Sequence, residues 1–145
     1  MASRRKGRIL AFQALYAWSQ TGEGAISDNL LDFSWAAGDK PLDAQMTAFS
    51  RLLVTGTVEN IAAVDSMIEN HLQNWGLVRL NRVDLAVLRM SVYTLMFQTD
   101  MPPSIVIDEA IEISREFGTD DSYRFVNGVL DSVRKSLCPD NPVSL

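Results

Sequence analysis

Residues 81–99 read NRVDLAVLRMSVYTLMFQT, and at helical spacing this stretch places apolar side chains on nearly every face. A helix that is apolar all round is typical of the centre of a bundle, because other helices must cover it on several sides. Residues 100–104, DMPPS, end the helix, since a proline in a helix interior removes a hydrogen bond and clashes with the preceding turn. We therefore expect residues 81–99 to form a central helix that the rest of the chain surrounds.

The segments on either side of this helix are also predicted to be helical, because apolar residues recur at helical spacing and almost no stretch alternates with period two. The first helix is expected over about residues 5–20, and a short second helix is expected to begin after Ser27 as its N-cap. Residues 42–72 are expected to form either two helices or one bent helix, with the change of direction near Gly56. Two further helices are expected on either side of Gly118. This pattern predicts an all-α fold of about seven helices. We expect residues 1–145 to form a single domain with a loose tail at about 138–145.

The composition limits the classes of protein to which the chain can belong. With 145 residues, of which 47% are hydrophobic and 21% charged, the chain is long enough for one full hydrophobic core. No apolar run approaches the roughly 18 residues that a membrane-spanning helix needs, and the N-terminus lacks the apolar region of a secretion signal. Cys138 is the only cysteine, which excludes an internal disulfide and a thiolate metal site. We expect a cytoplasmic protein that does not contact membranes.

Side chains that support catalysis are scarce in this sequence. His71 is the only histidine, and no ligand spacing around it indicates a metal site, so we interpret it as a surface residue of a helix. No glycine-rich phosphate-binding motif is present. Glu112 and Glu116 lie one helical turn apart and are able to hold a cation, although exposed like charges on one face are common without one. We expect no catalytic residue, no metal and no cofactor, which leaves binding functions.

Basic charge is concentrated at the N-terminus of a chain whose formal net charge is −5. The first eight residues contain four of the 13 lysines and arginines, and no acid. Positive charges at a helix start oppose the helix dipole, so we interpret this cluster as functional rather than as solvated surface. Acidic residues crowd the stretch 108–121, where a solvated surface and a functional role are equally open. The basic residues are Arg4, Arg5, Lys6 and Arg8.

Three segments together resemble the NusB family of transcription antitermination factors. They are RRKGRILAFQALYAW at residues 4–18, NWGLVRLNRVDLAVLRMSVYTL at 74–95, and MPPSIVIDEAIEISREFGTDDSYRFVNGVLDSV at 101–133. The resemblance implies a compact all-helical bundle of two small subdomains. It also implies an RNA-binding adaptor that, together with the ribosomal protein NusE, binds boxA-like single-stranded RNA of nascent ribosomal transcripts. Other Nus factors would connect it to the RNA polymerase elongation complex, where it promotes read-through.

The resemblance assigns RNA-binding roles at both ends of the chain. The basic cluster matches the arginine-rich RNA-binding motif of the family, and guanidinium groups grip phosphates bidentately or stack on unpaired bases. Tyr16 matches a family tyrosine that offers a stacking surface, and the alternative interpretation is a half-buried anchor. Asp121, Phe125 and Asn127 match the RNA-proximal turn of the family. For Phe125 a place in the core is the alternative, and for Asn127 a bond to backbone groups.

Three acidic residues are candidates for binding the protein partner. Asp84 matches an acidic position that the family uses toward the ribosomal protein. Glu112 and Glu116 would suit a basic partner, and charge complementarity of this kind mainly speeds association and selects partners. Because the sequence pI is about 4.7, well below that of an autonomous nucleic-acid binder, we expect weak RNA binding alone and stronger binding with the partner.

The chain departs from the family pattern where Gly7 stands in the first helix. A glycine in a helix interior costs roughly 1 kcal/mol relative to alanine, so we expect the basic motif to stay disordered until RNA binds. Two other functions are kept open. One is a helical adaptor that binds only proteins, and the other is an RNA-binding module associated with an rRNA methyltransferase. Since the chain ends where a catalytic domain would begin, we favour the free-standing factor.

Overall fold

The computed structural model describes residues 2–38, 40–73 and 76–137, and the predicted loose tail with Cys138 lies outside them. Within these ranges the chain forms seven α-helices and two short 3₁₀ turns, and no strand. The helices are α1 Ala2–Gln20, α2 Asp28–Leu31, α3 Ala44–Glu59, α4 Ile61–Glu69, α5 Arg82–Phe97, α6 Pro103–Phe117 and α7 Ser122–Leu137, and the 3₁₀ turns are Ser34–Ala36 and Leu77–Arg79. The predicted all-α class is confirmed. Among the described residues, we find no helix whose length and hydropathy would let it span a bilayer.

Helix α5 is the central helix that the sequence predicts. Every residue from Asp84 to Thr94 is buried. Helices α1–α3 form one subdomain, from which α1 and α3 pack against α5. The other subdomain contains α5 itself, and there α4, α6 and α7 pack against it. The helix begins where the Asn81 carboxamide oxygen accepts a hydrogen bond from the Val83 N–H at 2.8 Å. One hydrophobic core therefore runs through both halves of the bundle.

The change of direction expected near Gly56 falls four residues later, at Asn60. Asn60 ends α3, and its side chain donates a 2.8 Å hydrogen bond to the Gly56 carbonyl. Gly56 itself lies inside α3 at the point where the Tyr93 ring of α5 packs on it, and a Cβ there would collide with that ring. Gly56 thus allows α3 and α5 to pack closely, and the change of direction occurs at Asn60.

Gly7 has a similar role between α1 and α3. A Cβ on Gly7 would lie 2.9 Å from Cδ2 of Phe49 and 3.2 Å from Oγ of Ser50. The Ser50 hydroxyl lies 2.8 Å from the Gly7 carbonyl and donates a hydrogen bond to it. Helix α1 continues through this glycine from Ala2. The expected disorder of the basic motif is therefore wrong, because contact with α3 compensates for the weak helix propensity of glycine.

His71 is not the surface helix residue that the sequence predicts. It follows the end of α4 and is half-buried. Its Nδ1 lies 2.6 Å from the Ser132 hydroxyl and its Nε2 lies 3.3 Å from the Ser136 hydroxyl, both on α7. The imidazole therefore ties the end of α4 to α7.

Arg89 forms a buried ionic cluster that no sequence motif indicates. Its guanidinium, on α5, makes a bidentate pair with Asp65 of α4 at 2.9 and 2.8 Å, and lies 2.8 Å from the Glu23 carboxylate. The same group lies 5.5 Å from the ring centroid of Trp18. Glu23 has a φ of 60°, in the left-handed region, so the chain after α1 turns sharply to present its carboxylate. One arginine thus joins α5, α4 and the connection after α1.

Candidate nucleic-acid interface

The basic residues of α1 do not share one environment. The guanidinium carbons of Arg4 and Arg8 lie 4.3 and 5.4 Å from the Phe49 ring centroid, in the range of cation–π contacts. Arg4 is exposed, whereas Arg8 is only 8% exposed and its Nη2 lies 3.7 Å from the Met101 sulfur. Burial lowers the pKa of Arg8 from its ordinary value, and the nearby Glu109 carboxylate opposes that effect. Arg8 therefore belongs partly to the packing between helices.

Arg5 makes a bidentate ion pair with Glu109 of α6. Its Nε lies 3.0 Å from Oε1 and its Nη2 lies 2.8 Å from Oε2, and Nη1 of Arg8 lies 3.8 Å from Oε1. The Arg5 side chain is 51% exposed and that of Glu109 only 16%. The hydrogen bond from Arg5 lowers the pKa of Glu109 below its usual range, which keeps the carboxylate ionised at neutral pH.

An open groove of about 1040 Å³ separates the start of α1 from α6. We call it the basic groove, and its walls are Arg4, Arg5, Lys6, Arg8, Ile9, Leu10, Gln13, Ala36, Met101, Ile105 and Glu109. All four basic residues of the sequence cluster contribute to it. Guanidinium and ammonium groups in an open cleft suit a chain of phosphates, because they donate several charge-assisted hydrogen bonds without enclosing the ligand. Among the described residues, no group of three or more metal-ligating side chains could hold a metal ion.

Tyr16 lies about two helical turns after Arg8 on α1, beside an apolar hollow of about 220 Å³. The hollow also contains Phe12 and Phe117, whose ring centroids are 5.3 Å apart, together with Gln13 and Val83. Tyr16 is half-buried, so one part of its ring anchors the helix while the other is accessible. Gln13 lines both this hollow and the basic groove, which makes one continuous surface along α1. No residue pattern in the sequence singled out Gln13.

The residues of the predicted RNA-proximal turn do not line the basic groove. Asp121 is exposed in the connection before α7. Phe125 is half-buried against the core and lines a hollow of about 410 Å³ with His71 and Arg124. Asn127 is exposed and lines a different hollow, beside Asp131. The structure therefore places Phe125 and Asn127 in separate hollows.

The three candidate partner residues also separate into two environments. Asp84 is 8% exposed, and its Oδ1 has no hydrogen-bond partner among the described residues. Burial raises the pKa of Asp84 above its usual range, and the nearby Ser122 hydroxyl at the start of α7 opposes the shift. Asp84 therefore lies buried in the first turn of α5, near the start of α7.

Glu112 and Glu116 are both exposed on α6. With Arg5 and Arg115 they line a small hollow next to the basic motif. Their negative charge contributes to the raised pKa of Arg5, for which the hydrogen bond with Glu109 is the largest cause. The acidic surface of α6 therefore adjoins the basic surface of α1, although more than 100 residues separate them in the chain.

Comparisons with known proteins agree with this architecture. A sequence model of the NusB family matches residues 5–135. The chain is 55% identical over 131 residues to the transcription antitermination protein NusB of Treponema denticola, which covers 90% of this chain and 95% of that protein. It is 51% identical over 133 residues to the protein of the same name from Treponema pallidum strain Nichols, covering 92% and 93%.

Two solved structures share the fold. The structure described as T. maritima NusB is 34% identical, with a TM-score of 0.83 over 98% of this chain and 97% of that one. A chain from the crystal structure of antitermination factors NusB and NusE in complex with double-stranded RNA is 27% identical, with a TM-score of 0.82 over 94% of this chain and 98% of that one.

Proposed function

The chain belongs to the NusB family, and on that premise we propose that it is a non-catalytic transcription antitermination factor that binds boxA-like single-stranded RNA jointly with NusE. In this role it would connect nascent ribosomal RNA to the elongating polymerase through other Nus factors. Residues 1–145 act as one domain in the compartment where transcription takes place, the cytoplasm.

The basic groove is the observation that carries this proposal. It gathers all four cations of the N-terminal cluster on one open surface, in a chain whose net charge is −5. A net negative charge repels RNA elsewhere on the molecule, so phosphates are attracted mainly to this groove. Tyr16 and Gln13 extend the surface with a ring for base stacking and an amide for base edges.

Partner binding is supported by a different surface. One solved relative is a NusB–NusE complex with RNA, and the exposed Glu112 and Glu116 of this chain offer negative charge to a basic protein. We assign Asp84 an indirect role, because its carboxylate is buried near the starts of α5 and α7 and is not exposed to a partner.

The test is binding of a boxA-like RNA with and without NusE, followed by tryptophan fluorescence at several salt concentrations. Trp35 is a suitable reporter because it is 45% exposed and precedes Ala36, which lines the basic groove. Changing Arg4, Arg5 and Lys6 together to glutamine should weaken binding and reduce the slope of log K against log salt by up to about 2 for single-stranded RNA. Arg8 is left unchanged, since its loss would also disturb packing.

A matched control removes the same charge elsewhere. Arg51, Arg79 and Lys135 are exposed and none lines the basic groove, so their combined change to glutamine should leave the salt slope nearly unchanged. A duplex of the same sequence, included because the solved relative holds double-stranded RNA, distinguishes single-strand from duplex recognition. Equal loss of binding in both triple variants would contradict the proposal.

The two other functions predict different results in this experiment. An adaptor that binds only proteins would form its complexes equally well after neutralisation of the basic groove and would not bind RNA even with NusE. A module associated with an rRNA methyltransferase would bind RNA without NusE and would support methyl transfer when its catalytic partner and a methyl donor are added.

A further inference from the structure

The Glu109 carboxylate lies in the basic groove, where it is paired with Arg5. We propose that this carboxylate is an internal competitor of RNA phosphate, which limits the affinity of the basic groove and excludes RNA that makes no further contacts. The inference rests on the proposed RNA binding and adds to it a residue that sets affinity and specificity.

The geometry of the Arg5–Glu109 pair is the first argument. A carboxylate and a phosphate present two oxygens to a guanidinium in the same bidentate arrangement. Glu109 already occupies Nε and Nη2 of Arg5 at 3.0 and 2.8 Å, and it lies 3.8 Å from Arg8. A phosphate that approaches the same face of Arg5 must therefore displace the carboxylate.

The fixed position of Glu109 is the second argument. Its neighbours Ala110 and Ile113 are buried in the core, which holds α6 against the rest of the bundle. The Glu109 side chain is only 16% exposed, and its lowered pKa keeps it charged at neutral pH. The carboxylate therefore remains near the cations, where it also repels any phosphate that has not displaced it.

The Arg5–Glu109 pair raises the interaction energy that an RNA must supply in order to bind in the basic groove. An RNA that offers only phosphates must compete with the Glu109 carboxylate. That carboxylate is already part of the protein, so its pairing with Arg5 involves no loss of translational freedom, whereas the binding of RNA does. An RNA that also contacts Gln13 or Tyr16 gains the additional interaction needed to displace it. Glu109 should consequently suppress non-specific binding more than specific binding.

The test compares Glu109→Gln with Glu59→Gln, which removes the same charge from another helix. Glu59 is exposed at the end of α3 and does not line the basic groove. In the presence of NusE, Glu109→Gln should bind boxA-like RNA about threefold to tenfold more tightly, whereas Glu59→Gln should change binding less than about twofold. The salt slope of Glu109→Gln should steepen by up to about 0.7.

Specificity and the role of Arg5 provide two further readouts. An unrelated single-stranded RNA of equal length should gain at least as much as boxA-like RNA, so the ratio of the two affinities should fall in Glu109→Gln. Adding Arg5→Gln to Glu109→Gln should abolish the gain. Unfolding of each variant by urea should be measured first, so that affinities are compared between folded proteins.

The outcomes separate this inference from the proposed function. Equal affinities of the two single variants would reduce the effect to general electrostatics and overturn the inference, and weaker binding by Glu109→Gln would show that the carboxylate orients Arg5 for RNA. Inorganic polyphosphate is the probe that does not depend on boxA recognition. If no RNA binds but Glu109→Gln still binds polyphosphate more tightly than Glu59→Gln, the inference holds and the proposed function fails.

Discussion

Gly7 and Gly128 are both glycines in helix interiors, yet their surroundings are opposite. A Cβ on Gly7 would lie 2.9 Å from Phe49, whereas a Cβ on Gly128 would meet nothing within 4 Å. In the sequence alone, a glycine in a helix interior indicates only a weakened helix, because helix propensity is a local property. The close approach of α1 to α3 depends on residues more than 40 positions away and was not predictable from the pattern.

This difference yields the first prediction. Gly7→Ala should destabilise the protein by about 1–3 kcal/mol, since overpacking against Phe49 and Ser50 outweighs the gain in helix propensity. Gly128→Ala is the matched control and should stabilise by up to about 1 kcal/mol. Urea unfolding measures both free energies. Stabilisation of the two variants by the same amount would contradict the packing role of Gly7.

Asp84 leads to a prediction about pH. Its folded-state pKa is raised above the usual 3.8 because burial penalises the charged form. A carboxyl with a raised pKa contributes stability below its unfolded pKa, and this contribution is lost as the pH rises through the folded pKa. The stability of the wild type relative to Asp84→Asn should therefore fall as the pH rises from below 3.8 through the raised folded-state pKa. Urea midpoints across this range test it, and a difference that does not vary with pH would contradict it.

At the scale of the elements, the helices were predictable and some of their ends were not. Residues 81–99 were predicted as one helix and α5 spans Arg82–Phe97, because the periodicity of apolar residues reports directly on helical packing. Ser27 and Gly118 act as helix ends, as local chemistry predicted. The bend assigned to Gly56 lies at Asn60, since Gly56 is required by the Tyr93 ring of another helix.

The Arg89 cluster yields the prediction at this scale. Arg89→Met should destabilise the protein by about 3–5 kcal/mol, because Glu23 and Asp65 would remain as partly buried, unpaired carboxylates. Lys135→Met, which breaks an exposed pair with Asp131 at 3.1 Å, should cost less than about 1 kcal/mol. The comparison is again made by urea unfolding. Similar losses in the two variants would show that the buried cluster contributes no more than a surface pair.

For the whole molecule, the fold brings opposite charges together that are far apart in the chain. The sequence shows a basic start and an acidic stretch near its C-terminal third, and it was reasonable to treat them as separate surfaces. The structure places α6 beside α1, so that Glu109 pairs with Arg5 while Glu112 and Glu116 lie next to it. The charge pattern of the sequence therefore identifies the candidate residues. It does not predict that Arg5 pairs with Glu109, because that pairing depends on the tertiary packing of α6 against α1.

The adjoining acidic surface can be tested by its effect on association. Glu112→Lys combined with Glu116→Lys should slow association with NusE by about threefold to tenfold at low salt, with a smaller effect on dissociation. Glu59→Lys combined with Glu69→Lys is the control, since both residues are exposed on other helices. Stopped-flow mixing without RNA measures the rates. Equal slowing in the two double variants would assign the effect to net charge alone.

The burial of α5 on all sides has a consequence for how the molecule opens. Because α1, α3, α4, α6 and α7 all pack on this helix, none of its inner amides can reach water while its neighbours stay in place. Their hydrogen exchange should therefore require global unfolding, whereas the amides of the short α2, which contains no buried residue, should exchange through local fraying. The molecule would then behave as one cooperative unit around α5, with α2 and its flanking loops free to fluctuate without disturbing it.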